Sequence, residues 1–540
     1  MSAPITSIDP SVAKERLWDV IVIGTGMGGA TTAYSLARQG FSVLMLERGQ
    51  AAFGSTDDPE HEDVTQRLDQ GRWPERAFGQ IDATHSQPFL PLGCGIGGST
   101  LFFGAAMERF ERSDFEDVAG NPHPTGGWPI QYDEFRPWYE AAERLYRVHG
   151  THDPLGDPTP CTLPRPGTAS EQDQFFMRDF AAAGLHPYRV HVGIAYKPGC
   201  HECLGRICPM KCKSDARTIC VEPAVEHHGA SLLDRCEVLR IDADRERVTS
   251  IACVRDGEPL SLRARQVVLS AGTYRSASML LASKNEAWPS GLGNRSDLVG
   301  RYLMFHSSDW FAVWPKRSGS TAGFRKAIGF RDLYAADGMR LGSVQSTGLP
   351  AGYGNVLIYL YRWFDLSPLR RFRFLRPFLR IPAKIASILF GNATIFAMIM
   401  EDFGDVENRI VHDPQRPGRI VFRYRVSKDM AERTSAARRL VKQRMPGFRK
   451  YWLQPDVMVD LGHPSGTCRF GNDPATSVLD RNCRVHGIDN LYVVDGSFMP
   501  SSGGANPSLT IAANALRVAE AIGDRLRRDA SVASAAQELA

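Results

Sequence analysis

The sequence predicts an α/β fold with two sheets, and three observations support this prediction. A β-branched run, a glycine-rich turn and a helical stretch follow one another at residues 19–49. A strand, a second glycine-rich loop and a second helix occupy residues 490–522. Between these ends, strand-like stretches at 393–403 and 418–426 indicate a separate sheet. One domain built from segments far apart in the chain, with a sheet-based domain beside it, accounts for all three.

The N-terminal stretch has the full βαβ pattern of a dinucleotide-binding unit. Residues Val20–Ile23 predict a strand, residues 30–38 a helix that Gly40 ends, and residues 42–46 a second strand. This order of elements favours a binding role over a glycine-rich turn without a ligand. The pattern alone does not separate FAD from NAD.

Each glycine of the turn has a distinct expected use. Gly24 permits a tight bend, Gly26 lets a pyrophosphate approach the backbone, and Gly28 and Gly29 lead into a closely packed helix. The N terminus of that helix then faces the phosphates. The second strand ends at Glu47, whose carboxylate can accept hydrogen bonds from a ribose.

One histidine near the C terminus has an unusual context. His463 stands between Gly462 and Pro464, and a small-residue turn follows it. These neighbours exclude a regular helix, so we expect a rigid loop to hold the ring. Such a histidine is either a structural residue with satisfied nitrogens or a base at a reaction centre, since imidazole titrates near neutral pH.

The last glycine-rich loop joins a strand to a helix. The strand ends in Asp495 and Gly496, and Asn506 precedes Pro507 at the predicted start of the helix. Asn506 therefore fits the role of an N-cap. The free N–H groups at the same helix start would also stabilise an anionic cofactor.

Five ordered stretches of the chain resemble the glucose–methanol–choline (GMC) oxidoreductases. They are the βαβ unit at 19–49, "GIGGSTLFFGAAMERF" at 95–110, "GWPIQYDEFRPWYEAAERLYRV" at 127–148, "VVLSAGTYRSASMLLASK" at 267–284, and the C-terminal signature at 463–518. The centre of the chain, 310–455, is similar to that family only loosely. The resemblance implies an FAD-binding domain with a Rossmann-like fold and a separate substrate-binding sheet.

The resemblance also implies a chemistry and a set of site residues. In this family a His–His or His–Asn pair faces the flavin, a base takes the hydroxyl proton of an alcohol, and the hydride passes to the flavin. The matching pair here is His463 and Asn506. The implied cofactor-binding residues are Gly24, Gly26, Gly28, Gly29, Glu47, Gly97, Gly98, Ser99, Val238, Asp495, Gly496, Asn506 and Pro507.

One loop departs from the family pattern. Phe103 stands where the family commonly has asparagine, so one flavin-loop contact is lost or replaced. Some relatives attach FAD covalently through a histidine near this loop, but residues 99–110 contain no histidine. We therefore expect a non-covalent FAD that dissociates from the protein.

Four cysteines lie close together at residues 200–212. Cys200, Cys203, Cys208 and Cys212 allow a tetrahedral zinc site or an iron–sulfur cluster, although their spacing identifies neither. The alternative is a compact group of buried thiols or disulfides near the flavin domain.

The segment at 361–384 is rich in arginine and aromatic residues. Pro368, Pro377 and Pro382 interrupt any long helix in it. We expect a lid or entrance over the substrate pocket, and weak contact with an anionic membrane surface is the second interpretation. The apolar run that follows, 385–400, is short and interrupted, so we expect it to be buried in the protein.

These expectations divide the chain into five segments. Residues 17–130 form the first part of the FAD-binding domain, and 131–199 a cap on the substrate side. Residues 200–310 hold the cysteine-rich stretch and the second part. Residues 311–454 form the substrate-binding domain, and 455–530 complete the FAD-binding domain with the catalytic pair.

Composition limits the classes of function. A net charge of +4 over 540 residues indicates no nucleic-acid partner. The N terminus lacks a secretory signal, and the odd cysteine number, 11, favours a reducing compartment, so we expect a cytoplasmic protein.

The expected reaction is oxidation of an alcohol group on a sugar, polyol or aminosugar. The electron acceptor is oxygen, a quinone or a carrier. A sterol or other apolar alcohol is the alternative substrate. A lyase that keeps FAD as structure, or a non-catalytic electron-transfer subunit, is the alternative class of protein.

Overall fold

The computed structural model describes residues 5–51, 77–86, 90–159, 161–349, 351–415, 418–454 and 456–538. The helices are α1 (Pro10–Glu15), α2 (Met27–Arg38), α3 (Tyr132–Leu145), α4 (Glu171–Ala182), α5 (Glu222–His228), α6 (Thr273–Ala282), α7 (Tyr353–Leu366), α8 (Arg380–Leu389), α9 (Lys428–Arg444) and α10 (Ser508–Glu538). Short 3-10 helices lie at Gly98–Leu101, Arg112–Asp114, Pro368–Arg371, Arg373–Leu379 and Gly496–Phe498, and a π-helix at Arg217–Val221.

The strands fall into two large sheets and two small ones. They are β1 (Leu17–Ile23), β2 (Val43–Leu46), β3 (Phe78–Ile81), β4 (Thr84–Ser86), β5 (Tyr188–Arg189), β6 (Ser231–Leu233), β7 (Cys236–Ala243), β8 (Val248–Arg255), β9 (Glu258–Leu269), β10 (Met304–Val313), β11 (Ile328–Phe330), β12 (Ala335–Ala336), β13 (Met339–Arg340), β14 (Gly342–Ser346), β15 (Thr394–Met400), β16 (Arg409–Ile410), β17 (Val421–Tyr424), β18 (Lys450–Trp452), β19 (Val459–Ser465) and β20 (Leu491–Val493).

The first large sheet carries the glycine-rich turn. Its parallel strands run in the order β6, β2, β1, β9 and β20, and β8 and β7 extend it as an antiparallel meander from β9. The apolar side chains of β2 and of the second half of β1 are buried, as a parallel sheet covered on both faces requires. Since β1, β9 and β20 are parallel, their carboxyl ends meet at one edge, where open α/β sheets bind their ligands.

The second large sheet is antiparallel. Its strands run in the order β18, β10, β15, β14, β11 and β5, and β19 pairs with the first half of β10. The strand predicted within 393–403 is present as β15, which is buried between β10 and β14.

The strand predicted within 418–426 is present as β17, but its assignment to the substrate sheet was wrong. β17 pairs in parallel with β3, and both belong to a four-stranded sheet with β4 and β16. Its alternating side chains mark it as a strand. They do not indicate which strand it pairs with, and that strand, β3, lies more than 300 residues earlier in the chain.

The expectation of burial for 385–400 was half wrong. Its second half is the buried strand β15, but Ile385, Ile388 and Leu389 at the end of α8 are 55, 72 and 65% exposed. The run breaks at the turn of Gly391 and Asn392, so two elements with different surroundings share one apolar stretch. None of the described helices combines the length and the apolar character that crossing a membrane requires.

Candidate active site

A cavity of about 820 Å³ opens at the carboxyl edge of the first sheet. Its lining includes the glycine-rich turn after β1, the turn after β9 and Asp495 after β20. The second sheet contributes Trp310 of β10 and His463 of β19. The volume is near the upper end of the roughly 300–1,000 Å³ typical of ligand pockets.

Three glycines of the glycine-rich turn are tightly packed, and a fourth has open space around it. A Cβ atom on Gly24, Gly28 or Gly29 would lie 2.3, 2.1 or 2.0 Å from a backbone oxygen. Gly24 also has a φ of +95°, which favours glycine. A Cβ atom on Gly26 would meet no atom within 4 Å. The protein itself therefore requires three of these glycines, whereas the space at Gly26 suits a phosphate group at the start of α2.

The carboxylate of Glu47 ties the turn to its surroundings. One oxygen accepts hydrogen bonds from the N–H (3.2 Å) and the hydroxyl (2.6 Å) of Thr25. The other accepts from the N–H groups of Gly49 and Gly95, at 2.9 and 3.2 Å. Glu47 thus shapes the cavity floor in addition to any contact with a ribose.

The loop at 97–99 closes over the glycine-rich turn. Gly97 and Gly98 have φ angles of +96° and +53°, and a Cβ atom on Gly98 would lie 3.1 Å from the Cα of Gly26. The hydroxyl of Ser99 accepts from the N–H of Gly93 at 3.1 Å. Ten of the predicted cofactor-binding residues line the cavity: Gly24, Gly26, Gly28, Glu47, Gly98, Ser99, Val238, Asp495, Gly496 and Pro507. Gly29, Gly97 and Asn506 lie outside this lining.

Asp495 anchors the edge of the first sheet. One carboxylate oxygen accepts from the hydroxyl of Ser276 (2.5 Å) and the N–H of Gly272 (3.0 Å). The other accepts from the hydroxyl (2.5 Å) and N–H (3.0 Å) of Ser497. Burial raises the pKa of this carboxyl above its ordinary value, and the four donors offset part of that effect. Asp495 therefore fixes the turn after β9 against the turn after β20.

His463 lies in a strand, which corrects the expected loop. It belongs to β19, which pairs with β10 through Ser465 opposite Met304 and Pro464 opposite Phe305. The register shifts directly after Phe305, and this irregularity frees the stretch around His463 from the ladder. Bulges of this kind re-aim side chains next to active sites.

Two hydroxyl groups of α6 hold β19 in place. Thr273 donates to the carbonyl of Pro464 (2.8 Å), and Tyr274 donates to the carbonyl of Leu461 (3.0 Å). Asp460 Oδ2 lies 3.7 Å from Nδ1 of His463, and no described group forms a hydrogen bond with that nitrogen. The ring is therefore positioned by its backbone and its packing.

A second histidine, His306 of β10, packs edge-to-face on His463. The ring centroids are 5.2 Å apart and the ring planes lie at 86°. Nε2 of His306 lies 3.2 and 3.1 Å from the carbonyl oxygens of Ser502 and Gly503. Burial lowers the pKa of His306 to about 3, so the ring is neutral and donates through Nε2.

His306 is absent from the predicted site residues. A lone histidine in an apolar strand carries no sequence signal beyond the expectation that it is buried. In the structure the ring of His306 packs on His463 and contacts Gly503, three residues before Asn506. It therefore joins the strand of His463 to the loop that leads to Asn506.

Asn506 contacts the second sheet. Its side-chain oxygen accepts a hydrogen bond from Nε2 of Gln345 on β14. α10 begins at Ser508, two residues after Asn506, so this bond serves the interface between loop and sheet and not the helix start. Gln345 is buried, and no motif of the sequence identifies it as a site residue.

The four clustered cysteines form one connected group of thiols. The thiol of Cys203 donates to Cys208, and that of Cys212 is shared between Cys200 and Cys208. The pKa of Cys208 is lowered, chiefly by the donation from Cys203 and also by backbone N–H groups. All four thiols are free.

This arrangement does not fit the predicted metal site. Among the described residues, no three His, Cys, Asp or Glu side chains are placed to hold a metal ion. The loop instead encloses the ammonium of Lys213, which is 2.7 and 2.6 Å from the carbonyl oxygens of Leu101 and Arg206. The spacing of the cysteines reveals their proximity but not this internal cation.

Family models described as GMC oxidoreductase match residues 18–308 and 404–515. The chain belongs to the GMC oxidoreductases. Enzymes of this family bind FAD, and the open space at Gly26 and the edge cavity fit that cofactor. The predictions of a GMC-type α/β fold and of an FAD-dependent enzyme that oxidises an alcohol group are confirmed.

Two relatives of this GMC oxidoreductase match nearly its whole length. Paromamine 6'-oxidase of Streptomyces fradiae is 30% identical over 95% of this chain and 93% of its own. The 6'''-hydroxyparomomycin C oxidase of Streptomyces lividus is 28% identical over 97% of this chain and 94% of its own. The solved structure of pyridoxine 4-oxidase from Mesorbium loti has a TM-score of 0.60 at 19% identity, covering 93% of this chain and 98% of that one.

Proposed function

We propose that this enzyme oxidises a hydroxyl group of an aminosugar, sugar or polyol to a carbonyl. The observation that carries the proposal is that His463 lines the same cavity as the glycine-rich turn. The two relatives named as oxidases of aminoglycoside compounds support an aminosugar-like substrate.

His463 and Asn506 have separate proposed roles. The imidazole of His463 accepts the proton of the substrate hydroxyl as a general base. Asn506 precedes Pro507, which lines the cavity, and its amide oxygen is engaged by Gln345, so its N–H groups are left to donate to the substrate oxygen. When bound, FAD supplies the acceptor for the hydride.

The FAD is proposed to be non-covalent. The ring of Phe103 lines the cavity, and its centroid lies 5.5 Å from the ammonium of Lys213. Because a hydrocarbon ring has no nucleophilic atom, this position offers no point of covalent attachment for FAD. Acid precipitation should leave the yellow flavin in the supernatant. A flavin that stays with the precipitated protein would overturn this proposal.

The test of the function is an anaerobic absorption spectrum recorded before and after addition of substrates. We expect the flavin to bleach with aminosugars or polyols and to keep its absorbance with sterols. A flavin that no panel member bleaches would contradict the proposal and favour a lyase that keeps FAD as structure. Re-oxidation of the bleached flavin by air, by a quinone or by neither then identifies the class of acceptor.

An apolar alcohol such as a sterol is the second candidate substrate. It is favoured by the apolar side chains that α7 and β10 present to the cavity, including Tyr353, Tyr359 and Trp310. Bleaching by sterols without bleaching by the polar panel would select this candidate.

A further inference from the structure

A strip of large apolar side chains is exposed along one segment of the second domain. Within α8 the spacing of its members is four, three and one residues, which places them on one face of that helix, and two phenylalanines of the preceding 3-10 helix continue the strip. The strip consists of Phe374 (69% exposed), Phe378 (63%), Ile381 (63%), Ile385 (55%), Ile388 (72%) and Leu389 (65%). Contiguous exposed apolar surface of this kind marks an interaction site.

The strip is surrounded by positive charge. From residue 366 to residue 400 the chain has no Asp or Glu. In the same stretch it has six cationic residues, Arg370, Arg371, Arg373, Arg376, Arg380 and Lys384. The carboxylate of Asp365 pairs with Arg376 at 3.4 Å, and this is an internal contact of the segment. The surface as a whole is therefore both apolar and cationic.

The strip belongs to a folded unit with a core of its own. Leu357 and Tyr361 of α7 pack with Ala383 of α8 in a small buried cluster. The start of α7 also lines the main cavity through Tyr353 and Tyr359. The exposed face is thus held by the same helix that forms part of the cavity wall.

We propose that residues 367–389 dock on membrane surfaces that contain anionic phospholipids. α8 has 10 residues, about half of the roughly 20 needed to cross a bilayer, so it would lie in the plane of the interface. The apolar strip enters the boundary between headgroups and acyl chains, and the arginines contact lipid phosphates. This inference is independent of the substrate proposed above.

The charges favour lipid over a second copy of the chain. A two-fold contact through this face would bring two sets of six cations together, and like charges facing each other destabilise an interface. An anionic membrane satisfies the cations and the apolar strip at once.

The experiment is co-sedimentation of the FAD-loaded enzyme with vesicles. We expect binding to phosphatidylcholine vesicles that contain phosphatidylglycerol, and weak binding to phosphatidylcholine alone. High salt should weaken binding to the anionic vesicles, because it screens the arginines. Equal binding to both vesicle types would overturn the electrostatic part of the proposal, and binding to neither would overturn all of it.

A triple variant, Phe378→Ser with Ile385→Ser and Ile388→Ser, tests the strip itself. We expect its affinity for anionic vesicles to fall by about tenfold or more, since it removes three exposed apolar side chains that would insert into the membrane. The matched control is Leu239→Ser with Val532→Ser, two exposed apolar residues elsewhere (53 and 69%), and it should bind as the parent does. Retained flavin absorbance and alcohol oxidation in the triple variant would show that it is folded.

Two further results would overturn the docking proposal. Concentration-dependent self-association that the triple variant abolishes, without vesicle binding by the parent, would indicate a second copy of the chain. Equal vesicle binding by the parent and the triple variant would exclude the strip as the docking surface.

Discussion

At the scale of single residues, His463 is the side chain on which the proposed chemistry depends. His463→Ala should lower kcat by about a hundredfold or more, because it removes the general base, while the flavin absorbance is retained. Steady-state turnover with the identified alcohol measures the effect. His227→Ala is the matched control, since its side chain is 67% exposed and outside the cavity lining. Full turnover in His463→Ala would contradict the assignment of the base.

The neutral state of His306 makes the fold sensitive to acid. Its folded pKa, about 3, is below the value of about 6.5 expected in the unfolded chain, so the unfolded state binds the proton first. The contribution of the neutral His306 to the free energy of unfolding is complete above pH 6.5. It is lost as the pH falls from 6.5 towards 3. At pH 5 the expected loss in the free energy of unfolding is up to about 2 kcal/mol.

Urea unfolding at pH 7 and pH 5 tests this prediction with His306→Gln. The amide cannot take up the proton, so the difference between the two pH values should be smaller than in the parent. His123, whose pKa burial lowers to about 4, keeps part of the acid sensitivity in both proteins. If the free energy of unfolding of His306→Gln differs between pH 7 and pH 5 as much as that of the parent, protonation of His306 does not cause the acid sensitivity.

Gln345 is expected to orient the amide of Asn506. In Gln345→Glu the carboxylate offers no donor, so the amide of Asn506 must rotate and turn its oxygen towards the substrate. We expect kcat to fall by about tenfold to a hundredfold, since one donor to the reacting oxygen is lost. Gln345→Asn keeps a donor and should retain more turnover than Gln345→Glu. Equal turnover in the two variants would refute the positioning role.

At the scale of elements, local patterns predicted the glycine-rich turn and its flanking strands and helix. The strand expected at Val20–Ile23 is part of β1, and the helix expected at residues 30–38 is part of α2. Both depend on periodicity and turn chemistry within about 30 residues. The strand that holds His463 depends instead on β10, some 150 residues away in the sequence, and on a register shift that no local pattern encodes. The same limit explains why His306 and Gln345 were missed.

Two glycines of the turn should respond differently to alanine. Gly28→Ala would place a Cβ atom 2.1 Å from a backbone oxygen, so we expect the free energy of unfolding to fall by about 1–3 kcal/mol or more. Gly26 has a φ of −70° and open space around it, so Gly26→Ala should leave the stability of the apoprotein unchanged.

The effect of Gly26→Ala should appear in the cofactor instead. Urea unfolding of the apoprotein and titration with FAD separate the two quantities. We expect weaker FAD binding in Gly26→Ala, because the added methyl group occupies the space left for a phosphate. Unchanged FAD affinity in this variant would contradict the placement of the pyrophosphate.

At the scale of the whole molecule, the resemblance carried by five short stretches was enough to identify the family and its two-sheet plan. The same stretches do not predict the structure of the centre of the chain, because residues 310–455 resemble the family only loosely. The exposed strip on 374–389 lies in this part of the chain. The expectation that the apolar run is buried failed in part because hydropathy does not show that the turn at Gly391 divides the run between an exposed helix end and a buried strand.

The position of β20 has a consequence for how the protein is made. This strand is three residues long and completes the first sheet beside β9, more than 200 residues after β9 leaves the ribosome. α10, which packs against α2, follows β20 in the chain. The edge of the sheet at which the cavity opens is therefore incomplete until β20 has been synthesised. We therefore expect the complete binding edge to form only once β20 has left the ribosome and paired with β9.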